Sequence, residues 1–136
     1  MTWRQSFAHG TGSVAAARRF VAGCVGDEVA PARREIVVLL VSELATNSVR
    51  HAASAFAVEV DLQAGELTVR VTDDGPGLPA VRSTAPQEPT GRGLRVVESL
   101  SDDWGIQTTG SGKTVWFRLH VGTETTTGRA VQFGAR

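Results

Sequence analysis

The sequence predicts an α+β fold in two layers, with helices packed on one face of a mixed, mostly antiparallel sheet. Three observations lead there. A long segment carries apolar residues at helical spacing, two alternating segments are joined by a short polar link, and a second pair of strand-like segments follows further on. Helices, then a hairpin, then a loop and helix, then another hairpin is an order that disfavours parallel strands linked by crossovers.

Residues 3 to 9, WRQSFAH, read as an opening strand. Ser13 is placed to cap a helix running through Val14, Ala17, Phe20, Val21 and Cys24. Pro31 suits a helix first turn, and the clearest helix runs from about Ala32 to Ala53, with Ile36, Val37, Leu40, Val41, Leu44 and Ala45 as its apolar stripe. Phe56 to Leu62 and Leu67 to Thr72 alternate apolar and polar residues across GlnAlaGlyGlu, which predicts a hairpin with one buried face. From Gly75 to Gly91 the periodicity stops, and four of the five prolines fall there, so a long loop, mobile over 76 to 92, is expected. Leu94, Val97 and Leu100 suggest a short helix, and TrpGlyIleGlnThr and ThrValTrpPheArgLeuHisVal suggest the last two strands. The expected division is one domain over residues 1–121 and a loose tail over 122–136.

A chain of 136 residues suits a single hydrophobic core. With 41% hydrophobic and 21% charged residues the composition is that of a globular protein. Fourteen basic residues balance fourteen acidic ones without long blocks of either sign, which argues against nucleic acid or an anionic membrane as partner and for a protein or small molecule. The single cysteine, Cys24, allows neither an internal disulfide nor a zinc cluster, and a reducing, cytoplasmic setting fits it. The longest aliphatic run, Ile36 to Val41, is far below the ~20 residues of a membrane span.

Glu43 and Asn47 stand one turn apart on one face of the long helix, with Arg50 and His51 a further turn along. Such a row is either solvated surface or half of a site. ValThrAspAspGlyProGly, residues 71 to 77, takes a strand into an acidic, glycine-bearing turn, with Asp73 at the strand end; a plain turn uses the same residues. ThrGlyArgGlyLeu, residues 90 to 94, ends the loop at a helix start, where backbone amides and the helix dipole favour phosphate. Two look-alikes fail. GlyArgGlyLeuArgVal has Val96 where a dinucleotide fingerprint needs its third glycine, and GlySerGlyLysThr at 110 to 114 has Gln107 where a P-loop needs its first.

Taken in order, GluLeuAlaThrAsn (43–47), AspAspGlyProGly (73–77), GlyArgGlyLeu (91–94) and GlyLysThr (112–114) resemble the N, G1, G2 and G3 boxes of the GHKL superfamily. The resemblance spans roughly residues 3 to 121, and its compact form is similar to the anti-sigma factor serine kinases. It implies the Bergerat ATP-binding fold, ATP and Mg²⁺ as ligands, Glu43 as catalytic base, and Asn47 as the Mg²⁺ ligand. Asp73 would accept a hydrogen bond from the adenine amino group, with Thr114 supporting that end. Gly75 and Gly77 would let the backbone pass close to the nucleotide, and Gly91, Gly93 and Leu94 would bring amides to the phosphates. Arg50 is a further candidate for phosphate contact, with Lys113 and Arg92 weaker still.

A buried carboxylate favours adenine, because the carbonyl of guanine would leave two acceptors facing each other, so ATP is expected to bind better than GTP. Within the branch, the resemblance implies a serine on an anti-sigma factor antagonist as phosphate acceptor, a sigma factor as second partner, and a homodimer. A histidine kinase module shares the boxes but is fused to a dimerisation helix pair, and the residues before Pro31 are too few for one. An ATP-dependent interaction switch that transfers no phosphate is the alternative of another class. Arg18 and Arg19 on the first helix are either a protein-binding face or a solvated basic pair.

Overall fold

The computed structural model describes residues 1–52, 54–74, 89–108 and 112–122, with His51 and residues 89–93 described in backbone only. The chain runs β1 (Thr2–Phe7), α1 (Gly12–Val25), a 3-10 turn (Gly26–Glu28), α2 (Pro31–His51), β2 (Phe56–Gln63), β3 (Glu66–Asp73), α3 (Pro89–Leu100), β4 (Asp103–Thr108) and β5 (Lys113–His120). Five strands form one sheet in the order β1-β2-β3-β5-β4. The α+β architecture is as expected. Where a mixed sheet was expected, all four pairings among the described residues are antiparallel.

Strand alternation separates the two faces of the sheet. Phe56, Val58 and Val60 of β2, Leu67, Val69 and Val71 of β3, and Val115, Phe117 and Leu119 of β5 are buried in one core with α1, α2 and α3. On the other face, polar side chains pair across strands: Arg70 with Glu59, Arg118 with Asp103, and Thr72 with Thr114. Trp116 lies on that face, with the Arg118 guanidinium 5.3 Å from its ring centroid. Gly105 opposite leaves the room its indole fills, since a Cβ there would come within 2.8 Å of the ring.

Helix α2 is the centre of the helical layer, packing on α1, α3 and β3. Pro31 stands at its start, where a missing N–H costs nothing. Val37, Leu40, Val41, Leu44 and Ala45 are buried as the stripe predicts, while Ile36 at its edge is half-buried. Ser13 does not cap α1. The cap position is Thr11, without a side-chain bond, and Ser13, inside the helix, donates to the Ala8 carbonyl at 2.6 Å, tying the helix start to the end of β1. In α3, Leu94 and Val97 are buried but Leu100 is 39% exposed, because a spacing of three drifts off the inner face of a 3.6-residue helix.

The hairpin link between β2 and β3 is a two-residue turn, with Ala64 at φ 54° and Gly65 at φ 80°. Both left-handed residues match the primed turns whose twist suits a tight hairpin. Helix α3 begins at Pro89, so Gly91 and Gly93 fall in its first turns rather than in the preceding loop. The expectations of a mobile segment and of a loose C-terminal tail lie largely outside the described residues.

Candidate functional site

Asp73 is the last residue of β3 and continues the inward row Leu67, Val69, Val71. Alternation therefore aims its carboxylate into the interior beneath α2, where it is buried. Two groups meet it there. Ser48 of α2 donates its hydroxyl to Oδ2 at 2.8 Å, and Lys113, the register partner of Asp73 on β5, donates from Nζ to Oδ1 at 2.8 Å. Both side chains of the ion pair are only 2% exposed. Removing two charges from water is unfavourable unless each is matched by the other and by hydrogen bonds, and Ser48 adds one such bond.

Asn47 precedes Ser48 on α2 and is also buried, yet among the described residues its Nδ2 has no hydrogen-bond partner. An unsatisfied buried amide costs ~1–3 kcal/mol, and such groups mark places where a ligand completes the bonding. A half-turn of the amide exchanges its oxygen and nitrogen, so this side chain can offer either. Glu43, one turn earlier, is half-buried, with no hydrogen bond or ion pair to a described residue. The described residues contain no group of three or more His, Cys, Asp or Glu that could hold a metal. A divalent ion at Asn47 would therefore take most of its oxygens from phosphate and water, which is how Mg²⁺ is held in many phosphoryl-transfer sites.

Gly112 makes the closest approach in this region. A Cβ at that position would overlap the Asp73 carbonyl and come within 2.8 Å of the Asp74 Cα, so only glycine lets the start of β5 pass beside the end of β3.

The remaining candidates are distributed differently. Thr114 is not beside the Asp73 carboxylate. It follows Lys113 by one residue and so faces the opposite side of the sheet, where its hydroxyl meets that of Thr72 at 2.7 Å. Arg50 is exposed and lines a groove of about 510 Å³ between α1 and α2, with Thr11, Arg18, Ser42, Thr46 and Val49 among its neighbours. The Leu94 side chain belongs to the core, leaving its backbone for any phosphate contact. Gly91, Arg92 and Gly93 are described by their helical backbone alone, and Gly75 and Gly77 lie outside the described residues.

Sequence reasoning missed Ser48 and undervalued Lys113. The signals were present. Ser48 is four residues beyond Leu44 on the buried stripe of α2, and Lys113 occupies the inward phase of Val115, Phe117 and Leu119. A hydroxyl and an ammonium at core positions require a buried partner.

The family described as histidine kinase-like ATPase domain matches residues 7–119, which contain every element from the end of β1 to β5. Among solved structures, the blue-light activated histidine kinase of Erythrobacter litoralis EL346 matches at TM-score 0.56 and 22% identity, over 85% of this chain and 42% of that one. A histidine kinase domain from the same protein matches at TM-score 0.47 and 28% identity, over 65% of this chain and 44% of that one. The histidine kinase domain of the E. coli osmosensor EnvZ matches at TM-score 0.51 and 16% identity, over 91% and 92%. The chain thus spans less than half of either Erythrobacter structure, and a search of curated proteins finds no match. With a match that covers α1, α2 and α3, the strands from β2 to β4, nearly all of β5 and the residues around Asp73, the chain belongs to the histidine kinase-like ATPase domain family.

Proposed function

We propose that this chain is an ATP-dependent protein-serine kinase that also acts as an anti-sigma factor, with a small anti-sigma factor antagonist as its phosphate acceptor. The observation that carries the reading is the buried Asn47 amide, whose Nδ2 has no partner among the described residues, on the helix whose next residue, Ser48, holds the Asp73 carboxylate. Base recognition and phosphate positioning then come from one helix and one strand end.

In this reading Asp73 accepts from the nucleotide base, and the Asn47 side-chain oxygen would hold Mg²⁺, which when bound supplies charge neutralisation for the phosphates. The backbone of the first turns of α3, with Gly91 and Gly93, offers amides to the phosphates. Glu43 takes the proton of the acceptor serine as its oxygen bonds to the γ-phosphorus and the bond to ADP breaks. The serine acceptor, rather than histidine, rests on the similarity of the four sequence boxes to the compact serine kinase branch.

One observation favours a second reading. A general base is usually oriented by a further hydrogen bond, and Glu43 has none among the described residues. A nucleotide-dependent switch that sequesters a regulator without transferring phosphate would need no such base. Incubating the protein with labelled ATP, Mg²⁺ and candidate antagonist proteins separates the two: phosphoserine on a partner supports the kinase, and nucleotide-dependent capture without label supports the switch.

A further inference from the structure

We infer that the groove between α1 and α2 is a docking site for an amphipathic helix of a protein partner, with acidic residues two turns apart on that helix. Two hollows follow the seam between α1 and α2. One, of about 510 Å³, is bounded by Val14, Arg18, Ser42, Val49 and Arg50 among others. The second, of about 250 Å³, is bounded by Arg18, Glu35, Leu39 and Ser42 among others. Arg18 and Ser42 belong to both, so the hollows join into one groove that follows α2 from Glu35 to Arg50. That stretch of helix rises ~22 Å, which a partner helix of about fifteen residues would match.

The groove has the make-up of a helix-binding surface. Leu39 is 42% exposed, a large aliphatic side chain that the core stripe of α2 leaves in water, and Val14 and Val49 beside the groove are half-buried. Charge is ordered along it, with Glu35 at one end, Arg18 in the middle and Arg50 at the other end. Arg18 and Arg50 are exposed, and neither meets a carboxylate among the described residues. Arg18 lines the groove at the level of Ser42, so ~12 Å of helix rise separates it from Arg50. A partner helix carrying two carboxylates at that spacing, with apolar residues between them, answers both cations and covers the aliphatic floor. Charge decides against the two nearer occupants. A second copy would set the same arginines against these, and residues 123–136 of this chain carry Arg129 and Arg136 against one acid, Glu124.

The probe is a synthetic helical peptide of about sixteen residues, with leucines on one face, a lysine to meet Glu35, and two glutamates ~12 Å apart to meet Arg18 and Arg50. Fluorescence anisotropy of the labelled peptide, titrated with the whole chain, should give a dissociation constant on the order of 10–100 µM. The same peptide with lysines for its glutamates should bind at least about tenfold more weakly. Arg18→Glu and Arg50→Glu, both at exposed positions, should each lose about tenfold toward the acidic peptide, and Arg18→Glu should regain about as much when the facing glutamate is made lysine. Equal affinity for the acidic and the lysine peptide overturns the inference without recourse to any variant, and so does absence of binding by both. Displacement of the peptide by inorganic phosphate would make the groove a small-anion site. Tighter binding by a synthetic 123–136 peptide would give it to the chain's own tail, and loss of a dimer in Leu39→Glu, read by light scattering, would give it to a second copy. Each of these three outcomes overturns the inference as well.

Discussion

Asp73 accepts from both Ser48 and Lys113, and its substitution should affect stability and nucleotide binding together. In Asp73→Asn the single amide oxygen must serve both Ser48 and Lys113, leaving the buried ammonium without its counter-ion. ATP affinity should fall by ~1–3 kcal/mol, roughly tenfold to a hundredfold, and stability should fall with it. Calorimetry and urea unfolding measure the two; unchanged ATP affinity would remove Asp73 from the site. Glu43→Ala should behave otherwise, binding ATP nearly as the parent does while phosphate transfer to a serine acceptor drops by ~10²–10⁴. Asn47→Ala should lose the Mg²⁺ dependence of ATP binding, read by titrating with and without the ion. The Cys24 thiol, far from these groups in sequence, is pushed up to about 11 from 9.0 by burial. Thiolate is the reactive form, so alkylation at pH 8 should run roughly a hundredfold slower than for an exposed cysteine and accelerate as pH approaches 11. Rapid labelling at pH 8 by a thiol reagent would contradict the partly buried setting.

At the scale of elements, the β2–β3 turn places Ala64, a residue with a Cβ, at φ 54°. Asparagine tolerates the left-handed region better, so Ala64→Asn should stabilise by about 0.5–1 kcal/mol, seen as a raised urea midpoint with unchanged slope. Two elements meet at Gly112, where Gly112→Ala would force β5 from the end of β3; a loss of at least about 2 kcal/mol and of ATP binding together is expected. Periodicity made the elements legible: the stripe Val37 to Ala45 and the alternation in β2 and β3 predicted their own burial. Nearest-neighbour chemistry was less so. Ser13 follows the sequence rule for a cap, but the chain enters the helix earlier, and its hydroxyl turns back to Ala8. Thr114 and Lys113 are adjacent in sequence and on opposite faces of the sheet, and only the register of β5 on β3 decides which of them meets Asp73. That register is a long-range property, set by packing between segments forty residues apart.

For the whole molecule, ligand binding and association are the measurable consequences. If Mg²⁺–ATP binds only the folded chain, a concentration of 100 Kd should add about 2.7 kcal/mol of stability, detectable as a rise in melting temperature. Among the described residues β1 pairs with β2 alone, and its other edge is a template for strand pairing. Light scattering should find a dimer, and a monomer mass at high concentration would refute it. The Asp73–Lys113 pair also bears on folding fidelity. In the native register Phe7, Phe56, Asp73 and Lys113 form one inward row across four strands, apolar at one end and ionic at the other. Sliding β5 by a single residue would carry Lys113 to the outer face and turn Thr114 inward, stranding the aspartate without its cation. Misaligned pairings are thus penalised at the strand ends, where fraying would otherwise tolerate them. Asp73→Leu combined with Lys113→Met should keep much of the stability, since apolar replacements of buried ion pairs often do, while amide exchange at the β3–β5 ends quickens. The ion pair that anchors the ends of β3 and β5 would then also serve as a proof-reading device for strand alignment.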